Sequence, residues 1–348
     1  MSHLHQYIER VSDQVQTETL LGDPLIRTIY GPFREHADWL FKTLTGARAS
    51  QALGLLNFDR ALATRVLGNR KFMNACGINF DECLDPPECL DTARKVFERK
   101  IRYWQCRPMP GETSAIVSPA DARLLVGSFR ETSQLFIKEK FFSFSELLGI
   151  DKPAWLKAFG EGDFAIFRLT ADKYHYNHAP VSGRVVDIYA IEGRYHSCNP
   201  QAIIAMATPY SKNKRIVTII DTDVPGGTGV GLVAMIEVVA MMIGRIAQCY
   251  SAHAYDNPVP VTAGLFVHRG QPKSLYQPGS STDVLIFQRN RMRFAADLLR
   301  NQRRSNISSR FTRGFQIPLV ETDLKVRSLI GHAENTPFNI KQHQGEQS

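Results

Sequence analysis

The chain has 348 residues, of which 43% are hydrophobic, enough apolar side chain for one large or two modest cores. This composition is that of an ordinary soluble globular protein and excludes low-complexity and fibrous classes. Its 42 Lys and Arg residues outnumber its 34 Asp and Glu residues, for a formal net charge of +8. The excess favours an anionic partner: an acidic membrane surface, an anionic substrate or nucleic acid.

Neither a targeting signal nor a membrane-spanning segment is expected. Residues 1–6 lack the apolar core of a secretory signal. The longest apolar stretch, residues 231–244, carries Glu237 and is shorter than the roughly 20 residues that a spanning helix needs. We interpret it as a buried core element. We therefore expect a cytoplasmic protein that is not secreted and that contacts a membrane only peripherally.

The cysteines indicate reduced thiols rather than a disulfide framework or a metal centre. The six cysteines stand at positions 76, 83, 89, 106, 198 and 249. None of them forms a Cys-x-x-Cys pair, and the gaps within the first three suit no common zinc module. We expect no bound metal.

Residues 1–108 are predicted to form a helical N-terminal extension. Apolar residues recur there at helical spacing among charges; they are Leu40, Phe41, Leu44, Ala93, Val96, Phe97, Ile101 and Trp104. Residues 106–111 contain two prolines and a glycine and are predicted to link this extension to the next domain.

Residues 109–348 are predicted to form a β-rich domain, so the fold class is α+β. Short β-type runs follow one another with Gly, Pro or Asn between most of them; they lie at residues 115–117, 124–126, 164–167, 184–188, 203–206, 215–220 and 283–287. This pattern is typical of a sandwich or a barrel-like assembly. Residues 141–148 are predicted to be a helical insertion.

Two further segments invite a binding hypothesis. Residues 221–231 are rich in glycine but lack the Lys and Ser/Thr of a nucleotide-binding loop, so we interpret them mainly as a loop that lets backbone approach the active site, with a substrate-phosphate contact as an alternative. Eight arginines crowd one C-terminal stretch, at positions 289, 291, 293, 300, 303, 304, 310 and 313. Little aromatic sequence interrupts them, so acidic phospholipid headgroups fit better than nucleic acid, and a solvated surface is the alternative.

The segment Gly279, Ser280, Ser281, Thr282 precedes the predicted strand at residues 283–287. Alone it reads as a turn, but three other segments accompany it. They are Ser118-Pro119-Ala120-Asp121, Tyr174-His175-Tyr176-Asn177-His178-Ala179-Pro180 and Asn213-Lys214-Arg215-Ile216-Val217. In this order, from about residue 94 to about residue 330, they resemble the phosphatidylserine decarboxylase family, whose members cut themselves at a serine to make a pyruvoyl cofactor.

The resemblance implies a role for each residue. Self-cleavage needs a serine hydroxyl that attacks the preceding carbonyl, a base that takes its proton and an acid that orients the base. By resemblance, Asp121, His178 and the serine form this triad, and His175 serves decarboxylation. The resulting pyruvoyl group then acts as the electron sink when carbon dioxide leaves the substrate.

Two serines compete for the role of nucleophile. The spacing to the following strand favours Ser281, with cleavage between Ser280 and Ser281. The glycine before Ser280 favours Ser280, with cleavage after Gly279. We prefer Ser281 and keep the other alternative open.

The resemblance leaves three functions open. The first is conversion of phosphatidylserine to phosphatidylethanolamine and carbon dioxide, which the positive charge supports. The second is a soluble decarboxylase of free, for example aromatic, amino acids, which the absence of an anchor supports. The third is a lipid-binding scaffold that no longer matures, against which stand Asp121, His178 and the serines. By resemblance we also expect a homodimer of two-chain protomers.

Overall fold

A ten-stranded sheet organises the fold. The computed structural model describes residues 4–18, 20, 23, 30, 77–130, 141–170, 172–206, 208–240, 245–278 and 281–334. The strands are β1 (Gln6–Glu9), β2 (Gln14–Thr17), β3 (Ala115–Val117), β4 (Ala122–Ser128), β5 (Asp163–Leu169), β6 (Tyr176–His178), β7 (Gly183–Ile191), β8 (Arg215–Asp221), β9 (Leu232–Val239), β10 (Ile246–Gln248), β11 (Phe266–Val267), β12 (Pro272–Tyr276), β13 (Ser281–Phe287), β14 (Met292–Phe294), β15 (Thr322–Leu324) and β16 (Leu329–Ala333).

The helices are short and lie between the strands. They are α1 (Ala93–Phe97), α2 (Tyr103–Cys106), α3 (Phe144–Leu148), α4 (Pro153–Phe159), α5 (Pro200–Ala205), α6 (Pro209–Lys212), α7 (Ala296–Gln302) and α8 (Arg310–Phe315). In the part of the chain that the structure describes, no helix has the length and apolarity to cross a bilayer.

The large sheet has the order β11-β7-β8-β9-β13-β5-β4-β15-β1-β2, and every neighbouring pair is antiparallel except β1 with β15. Two three-stranded sheets, β10-β12-β6 and β14-β16-β3, accompany it. The prediction of a strand-rich catalytic region within a mixed α and β protein is confirmed.

The central strands of the large sheet, such as β5, β9 and β13, are buried on both faces. On β13, Leu285 and Phe287 face a core shared with the two small sheets, whereas Val284 and Ile286 face a core shared with the helices α3, α4, α5 and α8. A strand buried on both sides needs apolar residues at successive positions, which explains the continuous apolar run from residue 284 to residue 287. We call the first side, covered by the small sheets, the sheet-covered face.

The predicted N-terminal helical region is not confirmed. Its first described part is a hairpin, β1 and β2, and β1 lies in the large sheet beside β15 from the other end of the chain. Ile8 is buried against Ile307 and Val320. Further on, Ala93, Val96 and Phe97 do lie on a helix, α1, with their side chains buried. Leu40, Phe41 and Leu44 lie outside the described residues.

Most of the other predicted elements agree with the structure. The β-type runs at residues 115–117, 124–126, 164–167, 184–188, 215–220 and 283–287 lie in strands, and the insertion at residues 141–148 contains α3. The strand predicted at residues 203–206 is wrong, because residues 200–205 form α5. Its start is set by Pro200 at the first helical position and by Asn199, whose side chain accepts a hydrogen bond from the Gln201 backbone at 2.8 Å.

Candidate active site

Ser281 is the first residue of β13, and both neighbouring strands hold it in register. It lies opposite Leu169 of β5 and opposite Val239 of β9. Its side chain is fully buried, and its hydroxyl has no hydrogen-bond partner among the described residues. Buried hydroxyls are usually paired, so an unpaired one at this position is available for chemistry. Gly279 and Ser280, and with them the alternative nucleophile, lie outside the described residues.

His178 is held on β6 as a neutral imidazole. Its Nδ1 lies 2.8 Å from the Gly270 carbonyl oxygen, which can only accept, so Nδ1 carries the proton. Nε2 is then an acceptor, and the Tyr174 hydroxyl donates to it at 2.9 Å. Burial lowers the pKa of His178 to about 3. The side chain is therefore in the unprotonated form that a general base requires.

Asp121 pairs with an arginine. The Arg107 guanidinium donates from Nε to Oδ1 at 3.0 Å and from Nη2 to Oδ2 at 2.8 Å. The backbone of Val326 donates to Oδ1 at 2.8 Å. Burial alone would raise the pKa of Asp121, but Arg107 lowers it well below its ordinary value, so the group is a carboxylate.

The turn that carries Asp121 packs against His178. The backbone N–H of His178 donates to the Pro119 carbonyl at 2.7 Å. Within the described part of the chain, however, the Asp121 side chain makes no hydrogen bond to His178. The structure brings the two residues to one place and gives each a partner of its own, Arg107 and the Gly270 carbonyl. Sequence reasoning missed Arg107 because it is a single basic residue in a predicted linker and belongs to no recognisable motif.

Asp121 and Ser281 lie at the same end of the large sheet. Asp121 directly precedes β4, and Ser281 begins β13, while β5 runs between these two strands and ends at Leu169 beside Ser281. Strands in a sheet are about 4.8 Å apart, so the backbones of β4 and β13 are about 10 Å apart. No hydrogen bond among the described residues joins Ser281 to either histidine.

His175 lies just before β6 and reaches the strand that leads to Ser281. Its carbonyl accepts from the backbone of Tyr276, the last residue of β12, at 3.1 Å. Its ring stacks on Phe97 with centroids 3.5 Å apart, and neither ring nitrogen has a partner among the described residues. Burial lowers the pKa of His175 well below its ordinary value. A neutral imidazole can donate a hydrogen bond to a substrate from one nitrogen and accept one at the other.

The third motif segment has a structural role next to Ser281. The Asn213 side chain donates to the Val239 carbonyl at 2.8 Å, and Val239 is the residue opposite Ser281 on β9. Arg215 donates to the carbonyls of Leu147 and Asn213, at 2.9 and 2.7 Å. These contacts fix the end of β9 and connect it to α3.

The glycine-rich loop, residues 222–231, lies away from this site. It joins β8 to β9, and β9 begins beside Phe287 and ends beside Ser281. The full length of β13 therefore separates the loop from Ser281, and the interpretation of a loop that approaches this site is wrong. The misinterpretation arose because glycines show that the backbone of a loop can approach a neighbouring group closely, but they do not show which group that is.

Sequence reasoning also missed a buried polar cluster on the sheet-covered face. Glu237 of β9 lies directly opposite Asp283 of β13. Lys273 donates to Glu237 at 2.8 Å, and the Tyr276 hydroxyl donates to Asp283 at 2.7 Å. All four side chains are fully buried. The available signal was one acid inside the apolar run of β9 and another directly before the apolar run of β13.

One group of side chains has the composition of a metal site. His5, Glu18 and Glu321 offer ligand atoms within 4.8 Å of one another. The guanidinium of Arg168 already stands between the carboxylates, 2.7 Å from Glu18 and 2.6 Å from Glu321. The protein therefore supplies its own cation there, and a metal ion would have to displace it. The cysteines at positions 83, 89, 106, 198 and 249 are free thiols.

Comparison with known proteins agrees with the motif order. A model of the family described as "Phosphatidylserine decarboxylase" matches residues 93–313. The phosphatidylserine decarboxylase proenzyme of Fusobacterium nucleatum is 26% identical over 309 residues, which cover 85% of this chain and 91% of that protein. The proenzyme of Chlamydia pneumoniae is 32% identical over 235 residues, 67% of this chain and 72% of that protein.

A rice relative, phosphatidylserine decarboxylase proenzyme 2, is 32% identical over 232 residues, which cover 66% of this chain but 34% of that longer protein. The matches to the bacterial proenzymes, in contrast, extend over most of both partners. The family match spans Asp121, both histidines and the serine segment. The chain belongs to the phosphatidylserine decarboxylase family of carboxy-lyases.

Proposed function

We propose that this protein converts phosphatidylserine to phosphatidylethanolamine and carbon dioxide after cutting itself between Ser280 and Ser281. Family membership supports the reaction, and the word proenzyme in the names of the relatives supports the cut. The observation that carries the proposal is the buried, unpartnered hydroxyl of Ser281 at the start of β13. In this proposal Ser281 becomes the pyruvoyl group of a 68-residue chain that comprises residues 281–348.

The residues around Ser281 fit such a group. The hydroxyl from which it would form is present, and the backbones of β5 and β9 hold the residue on both sides. The Ser281 side chain is fully buried. When formed, the pyruvoyl group supplies a carbonyl that binds the substrate amine and withdraws electrons as carbon dioxide leaves.

The chain's own residues supply the proton chemistry. Neutral His178 takes the proton of the Ser281 hydroxyl as it attacks the preceding carbonyl. Asp121 remains ionised beside Arg107, and its negative charge favours the imidazolium that His178 becomes. His175, with both ring nitrogens unused, acts on the substrate in the decarboxylation step.

The partners in this proposal are a phospholipid substrate, an anionic membrane surface contacted peripherally, and a second copy of the processed protomer. The charges available for a membrane are fewer than the sequence implies. Arg289, Arg291 and Arg293 pair with Glu161, Asp223 and Glu334, respectively. Arg304 pairs with Asp13, and Arg310 pairs with Asp23. In this proposal membrane attraction therefore depends mainly on Arg300 and Arg303, which make no side-chain ion pair among the described residues.

Intact-mass analysis and a substrate assay test the proposal. Wild-type protein should yield two chains, the shorter one starting at residue 281 with a blocked pyruvoyl terminus, whereas Ser281→Ala should remain one chain. Ser280→Ala is the matched control and should still be cut. A single wild-type chain with ordinary serines refutes self-cleavage, and a cut after Gly279 moves the nucleophile to Ser280. Release of carbon dioxide from free aromatic amino acids but not from phosphatidylserine would refute the phospholipid substrate.

A further inference from the structure

Asp283 and Glu237 form a pair of buried carboxyl groups next to residue 281. They are direct partners on the antiparallel strands β13 and β9, and both side chains are completely buried. Both lie on the sheet-covered face, because Leu285 and Met235, each two residues away along the same strand, belong to its core. Side chains at such opposed positions have Cβ atoms roughly 4.5–5.5 Å apart. Two negative charges at this distance inside a protein repel each other strongly.

The surroundings compensate only one of the two carboxyls. Lys273 donates from Nζ to Glu237 at 2.8 Å and to the Gln248 side-chain oxygen at 2.8 Å. Glu237 also accepts from Gln248 at 2.8 Å, from Asn177 at 3.2 Å and from the Ser274 hydroxyl. The cation and most of the donors that face the pair therefore serve Glu237.

Asp283 receives far fewer hydrogen bonds than Glu237. The Tyr276 hydroxyl donates to its Oδ1 at 2.7 Å, and its Oδ2 has no partner among the described residues. On its other side Asp283 lies opposite Phe167 of β5, which offers no charge. One cation shared by two buried carboxyls leaves room for one negative charge, so the pair retains one proton, and that proton belongs on Asp283.

The electrostatics of the two groups agree with this assignment. Burial and the charge of Glu237 raise the pKa of Asp283 well above its ordinary value, against the smaller opposing effects of Tyr276 and Lys273. For Glu237, burial raises the pKa, but Lys273 and the donated hydrogen bonds lower it below its ordinary value. At neutral pH the pair therefore consists of an ionised Glu237 and a neutral, proton-bearing Asp283.

Asp283 lies where a proton is needed. Residues two apart on a strand share a face and are separated by about 7 Å along it, so Asp283 and Ser281 point to the same side of β13. Ser281 is the residue at which the proposed function places the reactive group. The unpartnered Oδ2 of Asp283 therefore belongs to a side chain on the same face of β13 as the side chain of residue 281.

We propose that Asp283 is the acid that protonates the substrate carbon during decarboxylation, an assignment that rests on the proposed function. When the bond between that carbon and the carboxylate breaks, carbon dioxide leaves and the bonding electron pair stays behind. The carbon then forms a C–H bond with the proton of Asp283, which becomes a carboxylate. A proton from solvent restores Asp283 after product leaves, so one proton is consumed for each carbon dioxide released.

The central variant is Asp283→Asn, which keeps the shape of the side chain and an acceptor for Tyr276 but has no proton to transfer. We expect complete self-cleavage by intact mass, a nearly unchanged KM and a kcat lower by about 10²- to 10⁴-fold, the usual contribution of a general acid. The control is Thr218→Val, which removes a buried hydroxyl without a described partner from β8 on the same face. It should change neither quantity. A kcat of Asp283→Asn within threefold of wild type overturns the proposal.

A second measurement is independent of catalysis. It uses uncut Ser281→Ala protein, with and without Asp283→Asn, and follows the folding equilibrium in urea from pH 5 to pH 8. A buried acid that is protonated in the folded state and ionised in the unfolded state lowers the folding constant tenfold per pH unit in this range. Asp283→Asn should remove that dependence, and Glu237→Gln should remove it too by releasing Lys273 to Asp283.

These outcomes separate the two proposals. Equal pH dependence with and without Asp283→Asn shows that Asp283 carries no proton and overturns this inference, whatever the substrate is. Wild-type protein that is cut but does not decarboxylate phosphatidylserine refutes the proposed function, while the urea titration still decides the protonation of Asp283.

Discussion

Arg107 and Asp121 form a two-point ion pair in which both side chains are almost fully buried, with N–O distances of 3.0 and 2.8 Å. Arg107 also contacts Glu82 at 2.8 Å, so it joins the segment before β3 to the turn before β4. The residue assigned by resemblance to orient the catalytic histidine is therefore also part of the packing of this turn. Any mutation of Asp121 changes two properties at once.

The first prediction follows from this double role. Asp121→Asn leaves the guanidinium of Arg107 buried and partly unpaired, and breaking one side of a buried pair costs about 3–5 kcal/mol. We expect a loss of unfolding free energy of this order in urea denaturation. The double variant Asp121→Asn with Arg107→Met should recover most of the loss because it removes both charges. Recovery of folding without recovery of cleavage would assign Asp121 to the chemistry. A double variant as unstable as the single one would contradict the pairing argument.

The second prediction concerns His178 as the base of self-cleavage. Its pKa of about 3 keeps it unprotonated at every pH from 5.5 to 8, so the cleavage rate should vary by less than about threefold over this range. A base with the ordinary histidine pKa of about 6.5 would lose about tenfold in rate at pH 5.5. Precursor made by cell-free synthesis allows the rate to be followed on gels.

The same lowered pKa has a consequence for stability. The unfolded chain binds a proton at His178 below about pH 6.5, whereas the folded chain does not until about pH 3, so stability falls as the pH drops between these values. Circular dichroism at each pH must therefore confirm that the precursor is folded. His178→Ala should remain uncut throughout. Full cleavage of His178→Ala would remove this residue from the mechanism.

The third prediction separates the two histidines. His175→Ala should still be cut, because the ring of His175 makes no described hydrogen bond to the serine segment, but its decarboxylation rate should fall. Removal of a ring that stacks on Phe97 also leaves a cavity. His175→Phe is the matched control for packing, since it fills the space and keeps the stack. It should be cut, folded and as inactive as His175→Ala. An active His175→Phe would show that His175 serves only packing.

The fourth prediction concerns the attachment of the N-terminal hairpin. Arg168 on β5 binds Glu18 and Glu321, and all three side chains are almost fully buried. Arg168→Met should destabilise the chain by about 3–5 kcal/mol in urea, because it leaves two buried carboxylates with one cation fewer. Arg94→Gln is the control: it removes an arginine from a partly exposed pair with Glu98, and such pairs contribute less than about 1 kcal/mol.

Acid should weaken the same cluster. Burial raises the pKa of Glu18 and of Glu321, but Arg168 and its neighbours lower both well below the ordinary value of a glutamate. A carboxyl whose pKa is lowered by folding stabilises the protein above the unfolded pKa and loses that contribution as the pH falls. Unfolding free energy should therefore decline below about pH 4.5 in wild type, and less steeply in Arg168→Met.

The strands were predictable from the sequence because short apolar runs between turn residues carry their own signal. The N-terminal hairpin was not, because a four-residue strand such as β1 shows almost no pattern and its partner, β15, lies at the other end of the chain. The run at residues 203–206 was misread because a short apolar run suits a buried helix as well as a strand, and the start signal at Asn199 and Pro200 was overlooked.

The residues of the candidate site also fall into a group that the sequence predicted and a group that it did not. Asp121, His175, His178 and the serines stand in a recognisable order, so resemblance sufficed to name them. Their neighbours did not follow from the sequence. Glu237 and Asp283 are partners only because β9 and β13 pair in one register, and a shift of one residue would turn Asp283 to the other face.

The last prediction concerns the peripheral membrane attachment that the proposed function includes. Attraction of a basic surface to anionic lipid contributes on the order of 1 kcal/mol for each basic residue and is screened over about 10 Å at 0.1 M salt. Arg300 and Arg303 make no side-chain ion pair among the described residues, whereas Arg289 and Arg291 pair with Glu161 and Asp223. We expect wild-type protein to sediment with anionic vesicles at low salt, to leave them at high salt and not to bind neutral vesicles.

The double variant Arg300→Gln with Arg303→Gln should bind clearly less than the double variant Arg289→Gln with Arg291→Gln, although both lose two charges. Equal binding of the two variants would mean that only the net charge of the protein determines membrane binding. If wild-type protein does not bind at low salt, this arginine stretch is simply a solvated surface. The substrate must then reach the site by another route.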